Sequence, residues 1–293
     1  EVAAVLGLSP YAGPLEVWAT KTGRLDPGVD NAFTRQGRDM EPQILAWGEE
    51  VLGAPIERVP WVLSHPDSAA LCCNLDGLVR VGGQPAVVEA KHLGGYGRSA
   101  LREFRDTGAP PAGTALAAYW IQIQAQMAVT GLSRAYLVAY CDKDLEVIEV
   151  LQDPEAADII TNRIPAWWET YVIPDKEPPA KVAPDGKALA RLYPVSRPEI
   201  PPVDLSEHTD TIERVRALRK EVKRLDAEQD ALAAVLKAAL GEAEVGEVDG
   251  RKVCTWKTQS RRYVDVTAWR KEDPDGAAQH LATSTSRGFR FTD

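Results

Sequence analysis

The pattern of apolar and polar positions divides the chain into three parts. Up to about residue 175, short stretches of helical and of alternating periodicity follow one another. Prolines concentrate between residues 176 and 204, which predicts an extended linker. Beyond the linker a long helical pattern precedes a short hairpin pattern. We therefore predict a core of residues 1–175, a linker of residues 176–204 and a C-terminal region of residues 205–293.

The first part alternates helices and strands. Its most informative stretch, Leu71–Lys91, consists of two apolar strands separated by Gly82-Gly83, the signature of a hairpin. Alternating elements of this kind predict an α/β fold, with a mixed sheet flanked by helices. The other predicted elements are helices at Leu15–Lys21, Phe33–Leu52, Thr114–Thr130 and Ala157–Val172, and strands at Pro60–Ala70, Ala135–Tyr140 and Leu145–Leu151.

The C-terminal region has a heptad pattern. Its apolar positions are spaced by four and three residues, with one polar interruption: Thr211, Val215, Leu218, Val222, Leu225, Gln229, Leu232, Leu236 and Ala239. This spacing predicts a coiled coil or one arm of a helical hairpin. Its apolar seam could pack on its own domain, serve an assembly or contact a partner, and we favour the first. A β-hairpin turning at Asp249-Gly250 follows.

Two carboxylates and a lysine stand out in the Leu71–Lys91 stretch. Side chains alternate along a strand, so Glu89 and Lys91 share one face, and Asp76 ends the preceding strand. Asp76 and Glu89 offer the hard oxygen ligands that a divalent metal requires. Lys91 could orient or deprotonate an attacking water. The alternative is a turn cap beside an exposed strand pair, and the neighbouring segments must decide between the two.

Other polar residues are candidates for the same cleft. Glu41, at the edge of an apolar helix face, points into a cleft or into solvent. The buried helix Thr114–Thr130 carries three glutamines, and buried amides need partners. Helical spacing places Gln122 and Gln126 on one face, with Gln124 turned away. A basic cluster could hold phosphate or form a solvated helix face; it consists of Arg98, Arg102 and Arg105.

Composition narrows the class of protein. The net charge of −9 over 293 residues argues against coating nucleic acid by bulk electrostatics, but it leaves a nuclease possible. No run of about 18 apolar residues predicts a membrane span, and no signal peptide is visible. The chain begins at Glu1 without methionine, so we expect native residues to precede it. The four cysteines lack CxxC spacing, which indicates free thiols in a reducing, cytoplasmic compartment.

Four segments together resemble the YqaJ-like, lambda-exonuclease family of phage recombination nucleases, within the PD-(D/E)xK superfamily. They are LGLSPY near the start, GRDME ending at Glu41, LDGL with VVEAK, and YWIQIQAQMAVTG followed by AYLVAY. Each segment alone is a weak signal, but the four occur in the expected order. The resemblance covers roughly residues 1 to 172. It implies a PD-(D/E)xK nuclease core with a C-terminal helical and β-hairpin appendage.

The resemblance also implies roles for individual residues. Asp76 and Glu89, helped by the Ala90 carbonyl, would hold Mg²⁺, with Mn²⁺ as a substitute. Glu41 would bind or position a second metal. Lys91 would act on the attacking water. Gln122 or Gln124 would position that water or the scissile phosphate.

The activity implied by the resemblance is resection of linear double-stranded DNA from its ends, 5′ to 3′. The product would be a 3′ single-stranded tail for an annealing protein. The family further implies a ring-shaped homo-oligomer and, for a phage-encoded protein, the cytoplasm of the bacterial host. The alternatives are an endonuclease of other specificity and a non-catalytic DNA-binding or scaffold protein.

Overall fold

The computed structural model of the protein describes residues 1–27, 31–282 and 286–291. The chain divides into two compact units. The first comprises Glu1–Val195 together with the segment from Ser286 onward. The second comprises Ser196–Thr285. Each unit is described separately below.

A five-stranded mixed sheet forms the centre of the first unit. Its strands lie side by side in chain order: β1 (Ile56–His65), β2 (Ser68–Val81), β3 (Gln84–Leu93), β4 (Arg134–Cys141) and β5 (Asp144–Leu151). Strands β3 and β4 are parallel, and the other neighbouring pairs are antiparallel. A parallel pair needs a long crossover, which two helices supply between β3 and β4. The mixed sheet flanked by helices is therefore confirmed.

The helices of the first unit begin and end at the expected chemical signals. The first-unit helices are α1 (Val2–Val5), α2 (Pro14–Lys21), α3 (Ala32–Leu52), α4 (Arg98–Thr107), α5 (Ala115–Thr130), α6 (Pro154–Trp167) and α7 (Asp185–Leu192). The Asn31 side chain caps α3, and Thr114 caps α5. Left-handed glycines end these two helices, at Gly53 and Gly131.

The sheet is buried on both faces. On one face, Val87 and Leu137 pack with Ile123 and Met127 of α5. On the other, β3 and β4 residues pack with Ile44 and Leu45 of α3 (Val88 and Val138 among them). Strand β3 is consequently buried over five consecutive residues, 86–90, as expected for a central strand.

The β2–β3 hairpin has the predicted turn. Gly82 and Gly83 both have positive φ, 59° and 81°, as the tight two-residue hairpin turn requires. Five residue pairs follow from the turn, and the last is Gly77 with Val88. The ladder therefore ends one residue before Asp76 and Glu89.

The strand predicted at Pro60–Ala70 is wrong in extent. A turn at Pro66-Asp67 separates β1 from β2, so that segment contributes to two strands. Its apolar run is mostly outside the core, with Trp61 67% and Val62 61% exposed. The reason is that β1 is an edge strand whose pairing with β2 is irregular between Val59 and Leu63.

The segment predicted as an extended linker contains helix α7. Asp185, at its start, is buried, and its carboxylate accepts hydrogen bonds from the Leu15, Lys181 and Val182 N–H groups. This part of the chain is therefore packed against α2. At the far end, the Arg287 guanidinium donates to the Tyr193 carbonyl oxygen at 3.3 Å.

The second unit contains one long helix, α8 (Thr209–Leu240). A hairpin of β6 (Val245–Val248) and β7 (Arg251–Thr255) turns at Asp249-Gly250, as predicted, and α9 (Val266–Glu272) and α10 (Pro274–Gln279) follow. No residue of α8 is buried. The expectation that its seam packs on its own domain therefore fails, because the seam lies open.

In the described ranges, no helix is both long and apolar enough to cross a membrane. The four cysteines are free thiols, as predicted, and Cys141 is buried.

Candidate active site at the end of the β2–β3 ladder

Asp76 and Glu89 meet where β2 and β3 separate. With no ladder pair at this position, the Asp76 carboxylate accepts the Ala90 N–H at 2.8 Å. The side chain thus replaces a backbone acceptor, which satisfies a buried amide of the central strand. The Ala90 amide and the two carboxylates are therefore brought together by one local interruption of the sheet.

Glu89 is a buried carboxylate, 0% exposed. A buried charge is costly unless hydrogen bonds compensate it. Glu89 Oε1 accepts from the Lys91 ammonium and from Gln122 Nε2, the latter at 2.6 Å. Glu89 Oε2 accepts from Gln126 Nε2 at 2.6 Å. One strand neighbour and two amides of α5 therefore hold this carboxylate.

Lys91 lies against Glu89 and over an aromatic ring. Its Nζ pairs with Glu89 Oε1 and lies 5.0 Å from the centroid of the Tyr119 ring. Burial acts to lower the pKa of Lys91, but the charges of Glu89 and Asp76 outweigh it and leave the pKa raised. The raised pKa favours the ammonium form of Lys91, which can orient a water or an anion.

The surroundings of Asp76 disfavour its charged form, whereas those of Lys91 favour the charged form. Burial, and then the charge of Glu89, raise the pKa of Asp76 to about 7, although Lys91 and the Ala90 N–H partly offset them. Two neighbouring carboxylates share a single ammonium partner, so the pair is short of positive charge. A divalent cation with oxygen ligands suits this donor set.

The three glutamines of α5 have different environments. Gln122 and Gln126 both contact Glu89, as expected for residues one helical turn apart. Gln124 is 0% exposed but faces elsewhere, with its amide bonded to the Leu151 carbonyl and the Asp153 N–H. The Gln124 amide therefore does not contact the carboxylate pair, whereas the Gln126 amide does.

Glu41 does not join the two carboxylates. Its carboxylate pairs with Arg58 at 2.8 Å, although its charge contributes weakly to the raised pKa of Asp76. Among the described residues, no three His, Cys, Asp or Glu side chains converge in a metal-binding group. Asp76 and Glu89 are therefore available to bind one cation, whereas Glu41 is paired with Arg58.

Two of the three arginines predicted to bind phosphate are already paired. Arg98 contacts Asp144 at 2.7 Å, and Arg105 contacts Glu146 at 3.1 Å. Both acidic partners belong to β5, so carboxylates of this strand neutralise two of the three arginines. Arg102 is exposed on the same helix. The phosphate-binding prediction for α4 consequently depends on Arg102.

Residues 1–133 match the family described as the YqaJ-like viral recombinase domain. Asp76, Glu89, Lys91, Gln122 and Gln126 all fall inside the match. The similarity to this family covers 133 of the 293 residues.

The chain is also similar to individual proteins. The uncharacterized protein YqaJ of Bacillus subtilis strain 168 is 23% identical over 284 residues, which cover 94% of this chain and 84% of that protein. The chain is also similar to LHK-Exo, an alkaline exonuclease from Laribacter hongkongensis. The two are 24% identical, the match covers 48% of this chain and 70% of that chain, and the TM-score is 0.40. A phage-related exonuclease from Haemophilus somnus 129PT is 12% identical. The match covers 55% of this chain and 81% of that chain, with a TM-score of 0.43.

A cavity of about 680 Å³ lies beside the two glutamines that donate hydrogen bonds to Glu89. It reaches Gln122 and Gln126, and aromatic side chains line much of it: Tyr11, Tyr119, Trp167 and Trp168. Aromatic rings beside a polar site provide stacking surfaces for planar ligands such as nucleobases. Sequence periodicity predicts the shared face of Gln122 and Gln126, but it gives no sign that Trp167, at the end of α6, and the next residue, Trp168, line the same cavity.

Proposed function

We propose that the protein is a divalent-metal-dependent exonuclease that hydrolyses phosphodiester bonds of linear double-stranded DNA. The observation that carries this proposal is the buried Asp76–Glu89 pair with Lys91 at the open end of the β2–β3 ladder. The match of residues 1–133 to the YqaJ-like viral recombinase domain supports it. We further propose digestion from 5′ to 3′, with the 3′ tail passed to an annealing protein.

The proposed roles follow from the contacts. Asp76 and Glu89, with the Ala90 carbonyl, would hold Mg²⁺ or Mn²⁺. Such an ion supplies an activated water and stabilises developing negative charge. Lys91, held as a cation, would orient the water or the scissile phosphate, and Gln122 would fix Glu89 from the α5 side. Glu41 would join the site only after leaving Arg58.

The aromatic cavity supports an end-processing activity. Its rings would stack unpaired bases of the strand being digested. Stacking tolerates any base, so digestion would have little sequence preference.

We also propose that the protein works as a homo-oligomer. The open seam of α8 has Val215 and Val222 at one heptad position and Leu218, Leu225 and Leu232 at the other, with Gln229 as a polar interruption. Valine and leucine at these positions are typical of helices that associate with one another. The proposed partner for the seam is the same helix of a second copy.

The deciding experiment is digestion of a linear duplex labelled separately at its 5′ and 3′ ends, in Mg²⁺, Mn²⁺ or EDTA. We expect loss of the 5′ label first, dependence on the metal, and intact closed circles. Glu89→Gln and Lys91→Ala should each lower the rate by at least about a hundredfold, as expected when a charge that stabilises the transition state is lost.

Any other outcome would indicate a different activity or a different active site. Nicked circles would replace the exonuclease with an endonuclease. Binding of duplex without cleavage in either metal would favour a DNA-binding or scaffold role. Cleavage that survives both substitutions would move the active site elsewhere.

A further inference from the structure

Gln126 spans the gap between the two strands that carry the site. It is 1% exposed, and its Nε2 donates both to Glu89 Oε2 at 2.6 Å and to the Asn74 carbonyl oxygen at 3.1 Å. Asn74 belongs to β2, two residues before Asp76, and Glu89 belongs to β3. Because the ladder has already ended at Gly77 and Val88, this amide supplies a bond between the strands where backbone pairing has stopped.

The orientation of the amide follows from its partners. Both partners of Nε2 are acceptors, so exchanging the nitrogen and oxygen would place acceptor against acceptor. Gln126 Oε1, on the other side, is buried and has no hydrogen-bond partner among the described residues. A buried acceptor without a donor is unfavourable. An apolar side chain would pack here without leaving an unsatisfied acceptor. The amide at this position therefore indicates a role for its hydrogen bonds.

The lone pairs of Glu89 define that role. A carboxylate offers about four acceptor positions, two on each oxygen. Lys91 and Gln122 take both positions of Oε1, and Gln126 takes one position of Oε2. One position of Oε2 is left, and the bond from Gln126 fixes the direction in which it points.

We infer that Gln126 is a positioning residue, which sets the rotation of Glu89 and its separation from Asp76 so that Glu89 Oε2 faces the divalent cation. The inference rests on the proposed function, because it presumes that the two carboxylates hold a metal. Gln126 itself would touch neither the cation nor the DNA.

Gln124 provides a matched control on the same helix. It is a glutamine of equal burial, 0% against 1% exposed, and its amide also makes two hydrogen bonds. Its partners, the Leu151 carbonyl and the Asp153 N–H, lie outside the carboxylate pair. Replacing either glutamine by methionine removes an amide from the core, but only Gln126→Met releases Glu89.

The test is calorimetric titration of Mn²⁺ into the full-length wild type, Gln126→Met, Gln126→Asn and Gln124→Met. Asparagine keeps the amide but is one methylene too short to reach Asn74 and Glu89 together. Loss of a residue that orients a metal ligand typically weakens metal affinity by about 10- to 100-fold, which is the drop expected for both Gln126 variants. Gln124→Met should stay within about twofold of the wild type, even if its melting temperature falls.

Nuclease assays over a range of Mn²⁺ concentration give a second readout. For the Gln126 variants, the half-saturating Mn²⁺ concentration should rise by the same factor, while kcat at saturating Mn²⁺ is largely kept. Should Gln126→Met not fold, Gln126→Asn decides the question. Equal Mn²⁺ affinities for Gln126→Asn and the wild type would overturn the positioning role of Gln126. So would equal losses of Mn²⁺ affinity in Gln126→Met and Gln124→Met. Neither result would contradict the proposed metal site. A wild type that binds no Mn²⁺ would instead remove the proposed metal site, and this inference with it.

Discussion

At the scale of single residues, the site is a balance of charge around Glu89. The period of two along β3 correctly predicted that Glu89 and Lys91 share a face, and the helical period correctly paired Gln122 with Gln126. Of the two glutamines to which the resemblance offers a role, Gln122 contacts Glu89, whereas the Gln124 amide is bonded to Leu151 and Asp153. The bond from Ala90 to Asp76 could not be predicted, since it depends on where the ladder stops.

The raised pKa of Asp76 predicts a pH-dependent stability without metal. From its ordinary value of 3.8 up to about 7, the folded protein retains a proton that the unfolded chain has lost. Stability therefore decreases as pH rises through this window. In EDTA, the melting temperature of the wild type should fall between about pH 4 and about pH 7, and Asp76→Asn should flatten the fall.

Mg²⁺ offers a control for this pH experiment. At the upper pH it should restore the melting temperature of the wild type more than that of Asp76→Asn, because a ligand stabilises the state that binds it. The same pH slope in both proteins would show that Asp76 is not the titrating group.

At the scale of elements, the contact between α2 and α7 joins distant parts of the chain. The predicted start of α2 at Pro14 is confirmed, because proline at a helix start is a local signal. The linker prediction missed α7, because what orders this helix is the bond from the Leu15 N–H to the Asp185 carboxylate, 170 residues away. Proline content reports only local preferences, so it could not reveal this contact.

Gly13 tests the α2–α7 contact. A Cβ at this position would lie 2.1 Å from Asp185 Oδ1 and 2.6 Å from Val182 Cγ2. Gly13→Ala should therefore cost about 1–3 kcal/mol of unfolding free energy, as overpacking typically does. Gly37→Ala is the control, since nothing lies within 4 Å of its Cβ position in α3. Urea unfolding should show the control unchanged or stabilised, and equal losses for both would contradict the assigned contact.

At the scale of the whole molecule, the open seam of α8 distinguishes the second unit from the first. The heptad spacing correctly predicted one long helix. It could not tell whether the seam would be covered within the chain, because the same spacing suits a partner of either origin.

The seam predicts self-association that one substitution disrupts. A buried leucine contributes about 2 kcal/mol, so Leu225→Lys should weaken self-association by more than about tenfold. Ala227→Lys adds the same charge outside the heptad seam and should leave association intact. Light scattering over a range of protein concentration measures both. A wild type that remains monomeric at every concentration would contradict the proposed oligomer.

The first unit is formed by two segments of the chain, and the second unit lies between them in the sequence. The chain leaves the first unit after Val195 and returns at Ser286, and Arg287 bonds to Tyr193 close to the point of departure. The second unit is thus an insertion between two neighbouring points of the first unit's surface. Segments inserted in this way can be lengthened, exchanged or lost during evolution without rerouting the chain of the host fold. The path of the first unit would therefore stay the same if the inserted segment were longer or shorter.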